Sequence, residues 1–520
     1  HLRNATVYYR DSEGKLHSLN AVEGDGLERA IALYFASEPG LPRSLLGQQG
    51  VAARWRLPTF SLAFAKMAAS FLTLSSGGAG GLEASVTLVG ESTAAGLFKP
   101  RGLGRRLPAR VRHRLRGLAP FADFWRSSQP DDLQAAQLCG IAAAIATLLG
   151  TPFAAAFFAI EIIYRRRPII DRLIYALVSA LIAFFLTHIV TGSHSPFPSV
   201  AARPPIYEGR YYLALLAVAV SLGLLSSAFR ATRGWADRAF HTRFTRPVLR
   251  HLAGAFITGA VAVVCAGVLS LLELSAPRDA HGARTPWLVL GTGENIITWA
   301  LHGEFTLPVA VIALLGRFVA TLSTITSGAS AGLLFPTLCF GSLTAVCWAS
   351  VFGLEPALLV IPAMTASLVS VANVPLAAIL LVVEGFGAQW IVPAMFSLVW
   401  AAIFAHKNSI YRAQRETFDS GQILPGMSVR RIRVPRAWAG ASLRALGVRE
   451  RFGLTVIGMI DRRETPDGNI DERIVLNPAP DQLLTYGDLL IVLGEDLHIE
   501  RFTRDSMPAP PPSSTGSEPT

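Results

Sequence analysis

A stretch of 22 residues occurs twice in this chain, and this duplication constrains the fold more than any other feature of the sequence. Residues 64–85 align without a gap with residues 315–336, and each aligned pair, such as Lys66 and Arg317, is 251 positions apart. The two copies share a threonine (Thr73 and Thr324), the pair Ser76-Gly77 (Ser327-Gly328) and the pair Gly81-Leu82 (Gly332-Leu333). The chain is therefore predicted to contain two related halves.

A second match supports the first. Residues 152–161 match residues 375–384, here with a separation of 223 positions, so the first half holds 28 more residues between its two matches. The basic run from Lys99 to Arg116 lies in that interval, which predicts a loop inserted into one copy. Both matching segments end in an acid, Glu161 and Glu384. We expect this repeated pair to be structural, capping or pairing within the helix bundle.

The composition predicts that these halves lie in a membrane. Of the 520 residues, 51% are apolar and only 16% are charged, which is too apolar for a soluble protein of this length. Some apolar stretches reach the roughly 20 residues that a spanning helix needs. Others are short and interrupted by glycine or proline, as in the discontinuous helices of transporters. The stretches are 58–76, 134–164, 169–192, 210–229, 249–273, 306–326, 332–352, 356–384 and 389–405.

The net charge of +11 does not by itself indicate nucleic-acid binding. The arginines cluster at the ends of apolar stretches, in 99–116, 165–167 and 230–250. Positive residues of this kind are expected on the cytoplasmic side of a membrane. Sequence motifs for a zinc site or for nucleotide hydrolysis do not occur. We therefore expect no enzyme activity, no metal, no cofactor and no nucleic-acid partner.

The sequence predicts an all-α polytopic membrane protein with an inverted internal repeat, followed by a small α/β domain. Strand-like runs at 431–434, 455–460 and 488–493 and a helical segment at 442–449 support the second part. Because the chain starts at His1 in a polar segment, we expect upstream helices to be missing. The expected regions are a polar lead (1–23), a membrane domain (24–415), a linker (416–428), the α/β domain (429–504) and a disordered tail (505–520).

The glycine-rich ends of the long repeat are candidates for a binding site. Gly81-Leu82-Glu83-Ala84-Ser85 opens one helix, and Gly332-Leu333-Leu334-Phe335-Pro336 opens its equivalent in the other half. Helix N-termini carry about half a positive charge and bind anions through backbone amides. Two such ends that converge across an inverted repeat favour an anion site. The alternative is that the glycines only allow helices to pack closely.

The aligned copies differ in charge at one position, where Glu83 stands opposite Leu334. An acid inside an apolar region is costly and usually functional. A carboxylate at a helix N-terminus occupies the same positive end that an anion would use, and protonation removes this competitor. We therefore predict that Glu83 is a gate and that flux increases as pH falls.

These motifs resemble those of the CLC chloride channels and H+/Cl− antiporters, and the resemblance covers residues 24–411. It implies that Glu83 is the outer gate and that Tyr411 contacts the inner side of the anion. It also implies a homodimer in a cell membrane, in bacteria the inner membrane, with chloride as the default anion and protons as a second partner. The anion-binding residues that we expect on this basis, together with the helix starts, are Gly81, Leu82, Ala84, Gly332, Leu333, Leu334, Tyr411 and Asp25.

The sequence departs from the family motifs at several positions. Leu82 replaces the basic residue before the gate, and the aromatic residue of the third motif stands one place later, at Phe335. Asp25 occupies the place of a serine in the first motif, where a carboxylate would repel an anion unless it were protonated or turned away. Its alternative role is a helix N-cap. Ile162 stands where antiporters often carry an inner proton-relay glutamate, which favours a channel-like path.

The C-terminal part resembles the TrkA-C, or RCK C-terminal, regulatory domain in residues 446–449, 453–457, 476–481 and 487–494. The resemblance implies a cytoplasmic domain that dimerises or binds a small regulatory ligand. Such domains often accompany potassium transport proteins, which are therefore the alternative function. A TVGYG-like selectivity filter would mark a potassium path, and the sequence contains none.

Overall fold

The computed structural model describes most of the membrane domain and much of the C-terminal part. The predicted basic loop at 99–116, the tail at 505–520 and most of the linker at 416–428 lie outside the described residues. The described chain divides into two compact units, one with the residues up to 414 and one with the residues from 422 onward. The described residues are 6–10, 16–20, 22–37, 54, 57–98, 130–163, 170–192, 197, 205, 208–277, 288–405, 409–411, 413–414, 422–424, 427–435, 438–464, 470–495, 498–499 and 502.

The first unit opens with a hairpin in which β1 (Thr6–Arg10) pairs antiparallel with β2 (Leu16–Asn20). The sequence predicts only a polar lead there. All further regular elements described in this unit are helical. The α-helices are α1 (Gly26–Ser37), α2 (Phe60–Ser75), α3 (Glu83–Phe98), α4 (Pro130–Leu149), α5 (Pro152–Glu161), α6 (Leu173–Thr191), α7 (Gly209–Arg243), α8 (Pro247–Leu271), α9 (Glu294–Leu301), α10 (Leu307–Thr326), α11 (Leu334–Phe352), α12 (Pro356–Ala372), α13 (Pro375–Phe386) and α14 (Ile391–Ala405).

Every predicted apolar stretch contains a helix, and two of them contain two helices. The stretch 134–164 divides between α4 and α5 at Gly150, which has a φ of 67°. The stretch 356–384 divides in the same manner between α12 and α13 at Asn373, which has a φ of 56°. A left-handed residue ends a helix, and the proline two positions later starts the next one. The second sequence match therefore begins at equivalent helix breaks in the two halves.

Among the described residues, six helices are long and apolar enough to cross a membrane: α4, α6, α7, α8, α10 and α11. The other apolar helices, such as α5 and α13, are shorter. The prediction of an integral membrane protein with interrupted helices is thus confirmed. Helix α9 was not predicted because it has only eight residues and begins with the polar pair Glu294-Asn295.

The two halves make the same contacts with each other in both directions, as an inverted repeat requires. The amide of Ala79 donates to Thr324 Oγ1 at 3.1 Å, and the amide of Ser330 donates to Thr73 Oγ1 at 3.2 Å. Ala79 and Ser330 are aligned in the repeat, as are Thr73 and Thr324. The duplicated threonines therefore make equivalent contacts between the two halves, so their match in the repeat is not a chance similarity.

Glu161 and Glu384 exchange helix caps across the same boundary. The Glu161 carboxylate accepts hydrogen bonds from the amides of Leu376 (3.1 Å) and Ala377 (2.9 Å) at the start of α13. The Glu384 carboxylate accepts from two amides at the start of α5, at 3.0 and 2.8 Å. Carboxylates at helix N-termini satisfy unpaired amides and oppose the helix dipole. The prediction that these acids are structural is confirmed.

The second unit is a small α/β fold. Its antiparallel sheet has the order β3-β4-β7-β5-β6, and a short helical segment divides at Gly447, which has a φ of 55°. The elements are β3 (Gln422–Leu424), β4 (Met427–Arg433), α15 (Leu443–Leu446), α16 (Val448–Phe452), β5 (Thr455–Glu464), β6 (Ile470–Leu476) and β7 (Leu489–Glu495).

Strand β6 was not predicted because charged residues interrupt its apolar pattern. In the backbone register, Arg462 and Arg463 of β5 pair with Glu472 and Asp471 of β6, so residue types of opposite charge occupy paired positions. Opposite charges at facing positions stabilise a strand pair by roughly 0.2–1 kcal/mol. The sequence Pro466-Asp467-Gly468 predicts a turn, but these residues lie outside the described part of the chain.

Candidate functional site

Two glycines bring the starts of α3 and α11 together. The amide of Gly81 donates to the carbonyl of Gly332 at 2.9 Å, and the amide of Gly332 donates to the carbonyl of Gly81 at 2.7 Å. Helix α3 begins at Glu83 and α11 at Leu334, directly after this contact. A Cβ atom at Gly81 would meet the Glu83 carboxylate, so glycine at this position leaves room for that side chain. The repeat therefore places the positive ends of two helices side by side.

The side chain of Glu83 reaches from one half of the repeat to the other. Its Oε1 accepts a hydrogen bond from the amide of Phe335, in the first turn of α11, at 3.1 Å. Glu83 is 2% exposed, and its Oε2 has no hydrogen-bond partner among the described residues. Asp25, Arg317, Cys339 and Tyr411 are close enough to interact with its charge. A carboxylate thus lies at the N-terminus of α11 with one oxygen unsatisfied.

The aligned cations Lys66 and Arg317 hold equivalent loops beside this site. Lys66 Nζ donates to the carbonyls of Val22 (3.1 Å) and Gly24 (2.6 Å), just before α1. The Arg317 guanidinium donates to the carbonyls of residues 289–292, just before α9, at 2.6 to 3.1 Å. Both side chains are fully buried. The positively charged side chain that both copies carry therefore holds backbone carbonyl groups in place.

Asp25 lies in the loop that Lys66 holds. Its Oδ1 accepts a hydrogen bond from the amide of Leu27 at 2.8 Å, so the side chain caps α1. Its Oδ2 is buried and has no hydrogen-bond partner among the described residues. The alternative role predicted for Asp25, a helix N-cap, is therefore present. Like Glu83, Asp25 retains one unsatisfied carboxylate oxygen.

Tyr411 lies near both acids and is held by a buried ion pair. Tyr411 is 1% exposed, and the charges of Asp25 and Glu83 act on its hydroxyl group. Arg233 Nη1 donates to the carbonyl of the preceding residue, Ile410, at 3.0 Å. Arg233 Nη2 donates to the Glu28 carboxylate on α1 at 2.9 Å. Arg233 therefore links the helix that Asp25 caps to the segment that carries Tyr411.

The other predicted site residues lie at the two helix starts. Leu333 is the N-cap residue of α11, and both Leu333 and Leu334 are buried. The first amides of a helix have no acceptor within that helix. Leu82 is half-buried, and its carbonyl accepts the amide of Ser85 at 3.0 Å in the first turn of α3. Ala84 also lies in this turn, but its side chain is outside the described part of the chain.

Sequence reasoning missed three residues at the site. The amide that binds Glu83 belongs to Phe335, whereas Leu333 and Leu334 were named. Arg233 and Glu28 were not named at all, and the cluster at 230–250 was interpreted only as a cytoplasmic flank. The signal for Arg233 was a positive charge directly after the apolar stretch 210–229. Nothing in the sequence indicates that its partner is Glu28, 205 positions earlier.

A comparison with protein families identifies the membrane unit. Residues 40–406 match the family model described as voltage gated chloride channel. The chain belongs to the CLC family. This match excludes Asp25 and Tyr411, which lie just outside it. Because CLC proteins are channels and transporters, membership agrees with the prediction that the chain is not an enzyme. No comparison supports the alternative of a potassium transport protein.

Individual CLC relatives are distant. The chain is 24% identical over 289 residues to the voltage-gated ClC-type chloride channel ClcB of Citrobacter koseri, covering 53% of this chain and 63% of the relative. It is 23% identical over 294 residues to the H(+)/Cl(−) exchange transporter ClcA of Vibrio campbellii, covering 54% of this chain and 58% of the relative. The chain thus spans about three fifths of the length of these relatives.

A solved structure shows the same fold. The crystal structure of a CLC-type fluoride/proton antiporter matches with a TM-score of 0.54 at 21% identity, covering 75% of this chain and 88% of that structure. The predicted fold, a CLC-like membrane domain with a small α/β part, is thereby confirmed. At this level of identity the likeness concerns the fold alone.

Proposed function

We propose that this chain transports chloride or a similar small anion across a membrane and that Glu83 gates the path. The observation that carries the proposal is the hydrogen bond from the Phe335 amide to the Glu83 carboxylate, at 3.1 Å. A negatively charged group bound at a helix N-terminus marks a place that would also attract an inorganic anion. The glutamate and the transported anion would therefore compete for the same amides.

The proposed binding groups are backbone amides, because helix N-termini attract an anion without the strong binding of a full charge. In this proposal the amides of Leu82 and Ala84 bind the anion from the start of α3, and those of Leu333 and Leu334 bind it from the start of α11. The amides of Gly81 and Gly332, which the sequence also named, are used in the hydrogen bonds that hold the two helix starts together. The Tyr411 hydroxyl would donate from the inner side. Asp25 would contribute only when protonated, since an ionised carboxylate repels an anion.

Protonation of Glu83 would open the path. The neutral side chain loses its attraction to the Phe335 amide and leaves the helix N-terminus free for the anion. Asp25 and Arg317 are the charged groups that interact with the Glu83 carboxylate, and the Cys339 thiol and the Tyr411 hydroxyl lie near it. Anion flux is therefore expected to increase as pH falls.

The proposal leaves open whether the chain is a channel or a proton-coupled antiporter. Relatives named as channels and as exchange transporters match it almost equally. The buried Ile162, at the position where antiporters often carry an inner glutamate, favours a channel-like path. Chloride is the default anion, and fluoride is the main competitor.

The decisive experiment is efflux from liposomes that contain the purified chain. Chloride, fluoride, nitrate and potassium efflux would be recorded together with proton movement, for the unaltered chain and for Glu83→Gln. The proposal expects anion efflux that depends on pH only in the unaltered chain. Potassium efflux without anion efflux would overturn it.

We further propose that the C-terminal unit is a TrkA-C-like regulatory domain on the cytoplasmic side of the bacterial inner membrane. Its small five-stranded antiparallel sheet with short helices is compatible with that class. The proposed division keeps the boundaries expected from the sequence, with the membrane domain at 24–415 and the regulatory domain at 429–504. A homodimer, with or without a small ligand at this domain, completes the proposal. Light scattering of the detergent-solubilised chain would test the dimer.

A further inference from the structure

Three buried serines form a row of hydroxyl groups that starts beside the gate. Ser85, two residues after Glu83 on α3, is hydrogen-bonded to Ser70 on α2. Ser70 Oγ is also 2.8 Å from the hydroxyl of Ser330, in the segment just before α11. All three residues are at most 4% exposed. The row therefore crosses from one half of the repeat to the other through the protein interior.

The row has no counterpart at the aligned positions. Ser70, Ser85 and Ser330 are aligned with Thr321, Pro336 and Ala79, so only one of the three aligned residues carries a hydroxyl group. The hydroxyl of Thr321 is buried and has no hydrogen-bond partner among the described residues. Packing of two related helix pairs would not by itself require such a difference. The hydroxyl row thus occurs together with Glu83, the position at which the aligned copies differ in charge.

The far end of the row lies next to a polar cavity. Thr73 Oγ1 accepts the amide of Ser330 at 3.2 Å, and Thr73 lines a cavity of about 260 Å³. Such a volume holds several water molecules, since each occupies about 30 Å³ in the liquid. The polar side chains that line this cavity include Thr73, Ser76, His251, Thr258, Thr324 and Ser327. Ala329, the residue before Ser330, also lines the cavity, so the far end of the row is next in sequence to a space that water can fill.

We propose that protons reach and leave Glu83 along Ser330, Ser70 and Ser85, from water in this cavity. A hydronium ion in the cavity gives a proton, through a bridging water, to the Ser330 oxygen, which releases its own proton to Ser70. Ser70 passes a proton to Ser85 in the same manner, and the Glu83 carboxylate accepts the last one. Each serine ends with one proton, as it began, and the hydronium ion becomes water. The inference rests on the proposed function, in which Glu83 is the gate.

The last transfer runs from Ser85 to Glu83, two residues earlier in the first turn of α3. The unsatisfied Oε2 of Glu83 is the acceptor, reached through a bridging water or by rotation of the side chain. The charged groups that interact with this acceptor are Asp25 and Arg317, and the Cys339 thiol lies beside them. The route bypasses Ile162, so it requires no acid on α5.

The test records anion efflux and proton movement simultaneously from liposomes with the full chain, after pH steps. We expect Ser70→Ala with Ser330→Ala to slow proton movement and the response to a pH step by about tenfold or more. Anion efflux at low pH, where Glu83 is already neutral, stays unchanged. Ser70→Thr keeps a hydroxyl and restores the response, and Ser85→Ala alone reproduces the loss. Thr321→Ala, the matched change in the other half, has no effect.

The outcomes separate this inference from the proposed function. Unaltered proton movement and pH response in folded Ser70→Ala with Ser330→Ala, or an equal loss in Thr321→Ala, would overturn the hydroxyl path alone. Anion efflux from the unaltered chain that responds to pH in the same way with and without the three serines would also overturn only this inference, whereas efflux with no pH response at all would overturn the gate as well. Absence of any anion efflux from the unaltered chain would overturn both.

Discussion

Gly81 and Gly332 exchange two backbone hydrogen bonds, at 2.9 and 2.7 Å, across the boundary between the two halves. Helices α3 and α11 start within two residues of this pair. Separating the helix starts would break both bonds in a buried site, where unpaired backbone groups are costly. Opening of the path is therefore expected to depend on movement of the Glu83 side chain rather than on movement of the helices.

The first prediction concerns the gate itself. Glu83→Gln is expected to carry anion flux at neutral pH close to that of the unaltered chain at low pH, because the neutral amide mimics the protonated acid. Flux measured across a pH series in liposomes checks this. The exposed Glu304 provides the control, since Glu304→Gln should keep the unaltered pH profile. Full pH dependence in Glu83→Gln would remove Glu83 from the gate.

The second prediction concerns the space that Glu83 occupies. Gly81→Ala places a methyl group where the Glu83 carboxylate lies, so the carboxylate should leave the Phe335 amide. We expect higher flux at neutral pH and a flatter pH profile. Gly267→Ala in α8 is the control, because an added Cβ there meets nothing within 4 Å. A folded Gly81→Ala protein with an unchanged profile would show that the carboxylate does not need this position.

The third prediction concerns the exchanged caps. Glu161→Ala and Glu384→Ala should each destabilise the protein by about 1–2 kcal/mol, the usual cost of losing a helix cap. Thermal unfolding in detergent measures the loss, which should be similar for the two variants because their contacts are equivalent. Both variants should keep the pH dependence of flux. A folded Glu161→Ala protein without a pH response would instead give Glu161 a functional role.

The fourth prediction concerns a fully buried ion pair between Arg54 and Glu91, of which Glu91 lies on α3. The Arg54 guanidinium binds the Glu91 carboxylate through two hydrogen bonds of 2.9 Å, and Gln137 Nε2 donates to Glu91 at 2.6 Å. Arg54→Met leaves a buried charge unpaired, which typically costs about 3–5 kcal/mol. The double change Arg54→Met with Glu91→Met removes both charges and should recover much of this loss. Thermal unfolding of the single and double variants checks the difference; equal losses would contradict it.

The sequence predicted those parts of the fold and site that repeat or have a clear period. The alignment of the two 22-residue copies, which are 251 positions apart, named the helix starts, and the structure brings Gly81 and Gly332 into direct contact. The repeated acids were correctly predicted to be structural, because a pair conserved between two halves implies an equivalent environment. Helix breaks at Gly150 and Asn373 also follow from local residue chemistry.

The remaining parts depend on contacts between distant positions, for which one sequence has no signal. The Arg233–Glu28 pair and the Ser70–Ser330 hydrogen bond join residues that are far apart in the chain. Strand β6 was missed because its charges look like those of a loop until their partners on β5 are known. The role of Phe335 was missed because its backbone amide, not its side chain, makes the contact.

The exchanged caps have a further consequence for how such a chain can exist. Glu161 of the first half caps α13 of the second half, and Glu384 of the second half caps α5 of the first half. Neither half caps its own copy of this helix, α5 or α13, so a polypeptide with a single copy would need a second molecule related by a two-fold axis. Duplication makes that partner permanent, and it also frees the two copies to differ. One copy could then acquire an acid and the other keep a leucine, a division that two identical subunits could never make.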